Sequence, residues 1–128
     1  MKKRYPTVFH RAVEELETVA VSGGRIGAQV IRNLSGFGCR ILAYDLRQNP
    51  AVEPLVTYVD FETLLAQSDV ISLHMPLLES NRHIIDRAAI ARMKDGVVIV
   101  NCSRGELADI EALIEGIETE KIGALGMD

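Results

Sequence analysis

The chain has 128 residues, 48% of them hydrophobic and 25% charged, with a formal net charge of −4. That is one small domain's worth of chain, with no basic stripe to serve nucleic acid or an anionic membrane. No apolar run approaches the roughly 18 residues of a membrane span, and Cys39, Cys102, His10, His74 and His83 show neither metal-ligand spacing nor a disulfide framework.

Residues 7–16 carry a weak helical pattern, with Val8, Ala12 and Leu16 on one face, and 1–15 read as a helical lead-in to a single domain over 16–128. Lys2-Lys3-Arg4 reads as a solvated end, because Pro6, His10 and Arg11 interrupt any apolar stretch behind it, and with two reduced cysteines the expected location is the cytoplasm. Residues 18–21, β-branched and bounded by glycine, predict a first strand. After the turn Ser22-Gly23-Gly24-Arg25-Ile26-Gly27 a helix is predicted over 25–34, with Ile26, Val30, Ile31 and Leu34 as its apolar stripe and Gly36 and Gly38 at its end.

Residues 40–45 predict a second strand ending on Asp45, 46–54 a polar loop and 56–59 a short strand. Asp60 is placed to cap a helix over 61–67, and a strand over 70–73 is closed by His74-Met75-Pro76. Asp86 is placed to cap a helix over 87–93, with Gly96 beyond it and a strand over 97–100. A helix over 109–118 shows Ile110, Leu113, Ile114 and Ile117 on one face, and 122–127 predict a last strand. Strand alternating with helix, and strands that are nearly all apolar, argue for an α/β fold with a parallel sheet covered by helices on both faces.

A strand, a glycine-rich turn and a helix together make a pyrophosphate site, because the helix start offers unpaired N–H groups and a partial positive charge. Gly24 lets the backbone approach phosphates and Gly27 lets the helix pack close to the strand. The usual pattern is G-x-G-x-x-G, and Ser22 stands at its first position, with Gly23 one place later. The alternative is an ordinary strand-to-helix turn. Asp45 lies 23 residues beyond Ser22, about the spacing at which an acid grips the adenosine ribose. An aspartate there repels a 2′-phosphate and favours NAD over NADP, although Arg47 is nearby; alternatively it is a solvated strand-end acid. Asn101-Cys102-Ser103-Arg104-Gly105 presents one guanidinium after a buried strand, where open α/β sheets bind ligands. A guanidinium there suits a carboxylate; the alternative is a loop cap or a surface ion pair.

Three stretches carry a resemblance over about 16–128: the glycine turn with Gly36-Phe37-Gly38-Cys39 and Ala43-Tyr44-Asp45; Ser68 through His74-Met75-Pro76 to Asn81; and Met93-Lys94-Asp95-Gly96 through Asn101-Cys102-Ser103-Arg104-Gly105 to Asp109. With these the chain resembles the cofactor-binding domain of the D-isomer-specific 2-hydroxyacid dehydrogenases, most of all the D-lactate dehydrogenase branch. The resemblance implies a Rossmann-type doubly wound parallel sheet, truncated at its C-terminal side, with NAD as cofactor. It implies that Arg25 and Ile26 offer backbone N–H groups to the pyrophosphate and that Asp45 holds the ribose. His74, Met75 and Pro76 would line the adenine and ribose side, and Asn81 would sit near the pyrophosphate. Cys102, Ser103 and Asp128 would lie toward the nicotinamide, and Arg104 would bind the 2-oxo acid. Taken singly, His74 also reads as a satisfied strand-end histidine, Asn81 as a helix cap and Cys102 as a small buried hydrophobe.

In the family the acid that protonates the substrate carbonyl is a histidine, with a glutamate beside it, on a later loop. His10, His74 and His83 do not match its context. The reading is therefore the NAD-binding portion of an enzyme reducing a 2-oxo acid, pyruvate first, to the D-2-hydroxy acid, and the 128-residue chain alone is expected to show no turnover. A non-catalytic NAD(H)-binding or regulatory module and an inert fragment are the competing readings. Since the cofactor domains of the family also meet in its dimers, a homodimer is expected.

Overall fold

The computed structural model describes residues 18–22, 24–45 and 47–128. The lead-in, the pattern over 7–16 and Gly23 lie outside the described residues. The chain runs β1 (Thr18–Ser22), α1 (Gly24–Leu34), β2 (Arg40–Tyr44), β3 (Thr57–Tyr58), α2 (Phe61–Gln67), β4 (Val70–Leu73), α3 (Arg87–Arg92), β5 (Val97–Asn101), α4 (Ile110–Glu118) and β6 (Ile122–Met127). Single turns of 3₁₀ helix lie at Ser35–Phe37, Glu53–Leu55, Glu79–Asn81 and Gly105–Leu107.

The six strands form one sheet in the order β3-β2-β1-β4-β5-β6, with every pair parallel. The chain thus winds outward one way through β2 and β3, returns to the centre, and winds the other way through β5 and β6. The reversal falls between β1 and β4, where a doubly wound sheet opens a crevice at the carboxyl ends of its strands.

Local chemistry sets the helix starts. Asp60 accepts from the Thr63 amide at 2.7 Å, and Asp86 from the Ala89 amide at 2.8 Å, as their positions predict. Asp109 stands just outside α4 as its cap, accepting from the Glu111 and Ala112 amides at 3.1 and 3.5 Å. Each such cap gives a partner to an amide that the helix start leaves unpaired. After α1 the chain leaves its 3₁₀ turn through Gly38 at φ 74°, a left-handed conformation that costs glycine little.

Strand alternation places two cores on opposite faces of the sheet. Ile71, Leu73, Val97 and Ile99 pack with Leu64 and Leu65 of α2, Ala89 and Ile90 of α3, and Ala112 and Leu113 of α4. Val70, next to Ile71 and so on the opposite face, packs against the second cluster, where Ala28 and Ile31 of α1 meet Ile41 and Val52.

Two predicted stripes turn out differently. In α4 only Leu113 of the four stripe residues is buried, while Ile110, Ile114 and Ile117 stand 51%, 50% and 45% exposed. The buried face is Ala112-Leu113-Gly116. A Cβ at Gly116 would lie 2.6 Å from Cδ1 of Ile122, so α4 approaches β6 closely at this glycine. In α1, Ile31 is buried and Val30 and Leu34 are half-buried, but Ile26 in the first turn is 66% exposed; Gly27 and Ala28 face inward instead.

Candidate functional site

Parallel register brings the strand ends to one edge. Ser22 pairs with Tyr44, Val21 with Ser72, Leu73 with Asn101, and Asn101 with Met127. Asp45, His74, Cys102-Ser103-Arg104 and Asp128 follow directly, so all of them leave the sheet along the same edge. From β2 to β5 is three strand spacings, about 14 Å, which suits an extended two-nucleotide ligand lying across the crevice.

The start of α1 enters this edge directly after β1. Its first turn contains no acid, so no side-chain charge opposes an anion at its free N–H groups. Ser22, in the position usually held by glycine, closes β1 in register with Tyr44. As a strand residue it has extended backbone; among the described residues the non-glycine positions with positive φ are His83 and Glu120. Serine is therefore accommodated there in extended backbone. On the neighbouring strand end, Asp45 is half-buried and accepts from the Arg47 amide at 3.4 Å. An open helix start, a close-packed Gly27 and a carboxylate one strand away fit a dinucleotide without a 2′-phosphate.

Beyond β4, His74 Nε2 lies 2.7 Å from Ser72 Oγ. Burial pushes the pKa of His74 below its ordinary value, so the ring is neutral at pH 7. Met75 is half-buried and packs against the larger core, and Pro76 is exposed. Asn81 folds the following loop back on itself: its Oδ1 accepts from the Leu78 amide at 2.7 Å and its Nδ2 donates to the Pro76 carbonyl at 2.8 Å. Its side chain thus makes the cap-type contact that its sequence position also allowed.

The turn after β5 is the most tightly built part of the edge. Asn101 is 3% exposed; its Oδ1 accepts from the Ser103 amide at 2.9 Å and its Nδ2 donates to the Arg104 carbonyl at 3.0 Å. The Ser103 hydroxyl donates to the Leu73 carbonyl at 3.0 Å, and the Asp128 amide donates to the Asn101 carbonyl at 3.2 Å. These bonds join the ends of β4, β5 and β6. Cys102 is exposed, which removes the reading of it as a buried hydrophobe. Arg104 is exposed, and its guanidinium has no ion pair or hydrogen bond among the described residues. No cluster of metal-ligating side chains occurs among the described residues either. Asn101 carries the geometry of this turn; an asparagine at a strand end followed by a short polar turn is the sequence signal for such a contact.

Fold and edge together define a doubly wound dinucleotide-binding domain. The family model for the D-isomer specific 2-hydroxyacid dehydrogenase NAD-binding domain matches residues 2–128, and the chain belongs to that family. NAD is its cofactor. The chain is 51% identical over 114 residues to D-lactate dehydrogenase of Escherichia coli, covering 88% of this chain and 35% of that protein. It is 50% identical over 105 residues to hydroxypyruvate reductase of Thermotoga maritima, covering 82% of this chain and 34% of that protein. The structure of D-lactate dehydrogenase with NAD+ from Lactobacillus jensenii superposes with a TM-score of 0.85 at 45% identity, covering 88% of this chain and 34% of that one. The chain thus spans about a third of the length of these relatives.

Proposed function

We propose that this chain is the NAD(H)-holding portion of an oxidoreductase that reduces a 2-oxo acid, pyruvate first among them, to the D-2-hydroxy acid, with Arg104 as the carboxylate anchor. The observation that carries this reading is the exposed guanidinium of Arg104, unengaged among the described residues, on a hydrogen-bonded turn at the carboxyl edge of the sheet. NADH, when bound, supplies the hydride to the substrate carbonyl carbon.

The residues of the chain bind and orient. The start of α1, at Gly24, Arg25, Ile26 and Gly27, receives the pyrophosphate through backbone N–H groups. Asp45 accepts from the adenosine ribose hydroxyls and repels a 2′-phosphate. His74, Met75 and Pro76 line the adenine and ribose side, with Asn81 holding their loop toward the pyrophosphate. Cys102, Ser103 and Asp128 border the nicotinamide, beside the carboxylate held in the fork of Arg104. The same reading includes a homodimer through the cofactor domains and a cytoplasmic location. No helix among the described residues is long and apolar enough to cross a membrane.

A second reading is a non-catalytic NAD(H)-binding module, which the histidines favour: none of His10, His74 and His83 matches the context of the family's acid. NMR titration with pyruvate in the presence of NADH tests the anchor. Shifts centred on residues 102–105 that vanish in Arg104→Met support it; identical shifts in that variant remove it. Turnover of pyruvate by the purified chain would exclude the second reading and overturn the expectation that this chain alone is inactive.

A further inference from the structure

We infer that Asn101 is the positioning residue for Arg104, an inference that rests on the anchor reading above. An arginine exposed to solvent has four rotatable side-chain bonds, so its usefulness as an anchor depends on how firmly its backbone is held. Here one buried amide spans both flanking residues, beside two further bonds: the Leu107 amide also donates to the Arg104 carbonyl at 3.2 Å, and the Ser103 hydroxyl donates to the Leu73 carbonyl at 3.0 Å. Asn101 closes a ring with the two residues that flank the direction of the arginine: Oδ1 takes the Ser103 amide proton at 2.9 Å and Nδ2 gives a proton to the Arg104 carbonyl at 3.0 Å. The main chain of Asn101 is fixed as well, because it pairs with Leu73 and Met127 in the sheet and its carbonyl takes the Asp128 amide. The clamp is therefore anchored in the sheet rather than in a loop.

The chemistry of the two bonds restricts the residue type. One arm must accept and the other must donate, on a side chain one methylene from the backbone. Asparagine satisfies both. Aspartate keeps the acceptor but sets a second lone-pair oxygen against the Arg104 carbonyl. Serine is too short to span both groups, and the extra methylene of glutamine carries the amide away from both partners. No buried side-chain nitrogen or oxygen among the described residues lacks a partner, so neither arm of the amide is spare. Reactivity falls steeply when a binding group is displaced by about 1 Å, and loosening the clamp affects the carboxylate before it affects the dinucleotide, which is gripped at α1 and Asp45.

The test measures two affinities on each variant: NADH by fluorescence, and oxamate, a pyruvate-shaped carboxylate, on the NADH-loaded chain. Arg104→Met is expected to abolish oxamate binding. Asn101→Asp at about pH 8 is expected to weaken oxamate about ten-fold, the loss of one buried hydrogen bond, with NADH changed less than about two-fold. Lowering the pH to about 5.5 protonates the introduced buried carboxyl, whose pKa burial raises. The donor returns, and oxamate affinity in Asn101→Asp recovers toward that of the wild type measured at the same pH. Asn101→Ala shows the loss without the recovery. A loss in Asn101→Asp that does not recover, or that falls equally on NADH, reduces Asn101 to a structural residue and overturns the inference. Oxamate binding lost in Arg104→Met but unchanged in Asn101→Asp overturns it too, while leaving the anchor reading intact. Oxamate binding that survives Arg104→Met, or is absent from the wild type, removes the anchor reading and this inference with it. Should the Asn101 variants not fold, hydrogen exchange on the wild type decides: the Ser103 amide and the Asn101 side-chain amide are expected to be protected, and fast exchange of both removes the clamp.

Discussion

The hydroxyl of Ser103 donates to the carbonyl oxygen of Leu73 at 3.0 Å across 30 residues of sequence. It ties the turn that carries Arg104 to the end of β4, directly before His74. In the sequence Ser103 is one polar residue in a turn; in the fold it joins the two loops that follow β4 and β5 at the carboxyl edge of the sheet.

Ser103→Ala is therefore expected to cost stability. It removes one half-buried hydrogen bond and leaves the Leu73 carbonyl without that donor, a loss of about 1 kcal/mol. Urea unfolding checks it: the midpoint should fall with the slope unchanged. A midpoint equal to the wild type would mean that water replaces the hydroxyl at no cost.

Asp45 sits one strand from the start of α1, where ribose hydroxyls lie when a dinucleotide spans the crevice. Asp45→Ala is expected to weaken NADH about ten-fold or more, since hydrogen bonds to a charged acceptor are worth about 1.5–3 kcal/mol. The same change removes the charge that repels a 2′-phosphate, so NADPH should lose less or gain. Parallel fluorescence titrations with both nucleotides measure this, and an unchanged NADH affinity would take the ribose role from Asp45.

Much of this was legible in the residues. The run Val97-Val98-Ile99-Val100 gives β5 because β-branched side chains fit a buried strand, and Asp60 and Asp86 mark helix starts because a short carboxylate can take an orphan amide. The edge followed, since parallel strands send everything after them to one side. What was not legible is where composition is silent on direction. Ile110, Ile114 and Ile117 share a helical face with Leu113 in the sequence, yet the small residues Ala112 and Gly116 win the core because the backbone can come closer there. The clamp of Asn101 left only a generic signal, an asparagine at a strand end before a polar turn: its partners are backbone groups of Ser103 and Arg104, which every sequence possesses.

His74 gives the fold a pH dependence of known sign. Burial lowers its pKa in the folded chain from the ordinary 6.5. Between the ordinary value and the lower folded one, the unfolded chain binds more protons, so stability rises with pH. The contribution is fully present above pH 6.5 and is lost as pH falls through the folded value. Unfolding midpoints across that window should decline toward acid in the wild type and less so in His74→Gln. Equal slopes for both proteins would place the dependence on another group.

The contact between Gly116 and Ile122 sets two known effects against each other. Replacing glycine by alanine inside a helix is worth about 1 kcal/mol of added stability when nothing is in the way. Here a Cβ meets Ile122 Cδ1 at 2.6 Å and Cγ1 at 3.0 Å, and Ile122 is 2% exposed, with little freedom to yield. Overpacking of this kind costs about 1–3 kcal/mol, so Gly116→Ala is expected to be neutral to destabilising. Ile122→Val removes the Cδ1 methyl and alone costs about 0.5–1.5 kcal/mol. Combined, the two should be better than additive by about 1 kcal/mol, because the new methyl occupies the space of the deleted one. A double-mutant cycle of thermal or urea unfolding reads that coupling directly. If the two effects simply add, α4 does not depend on this approach to β6.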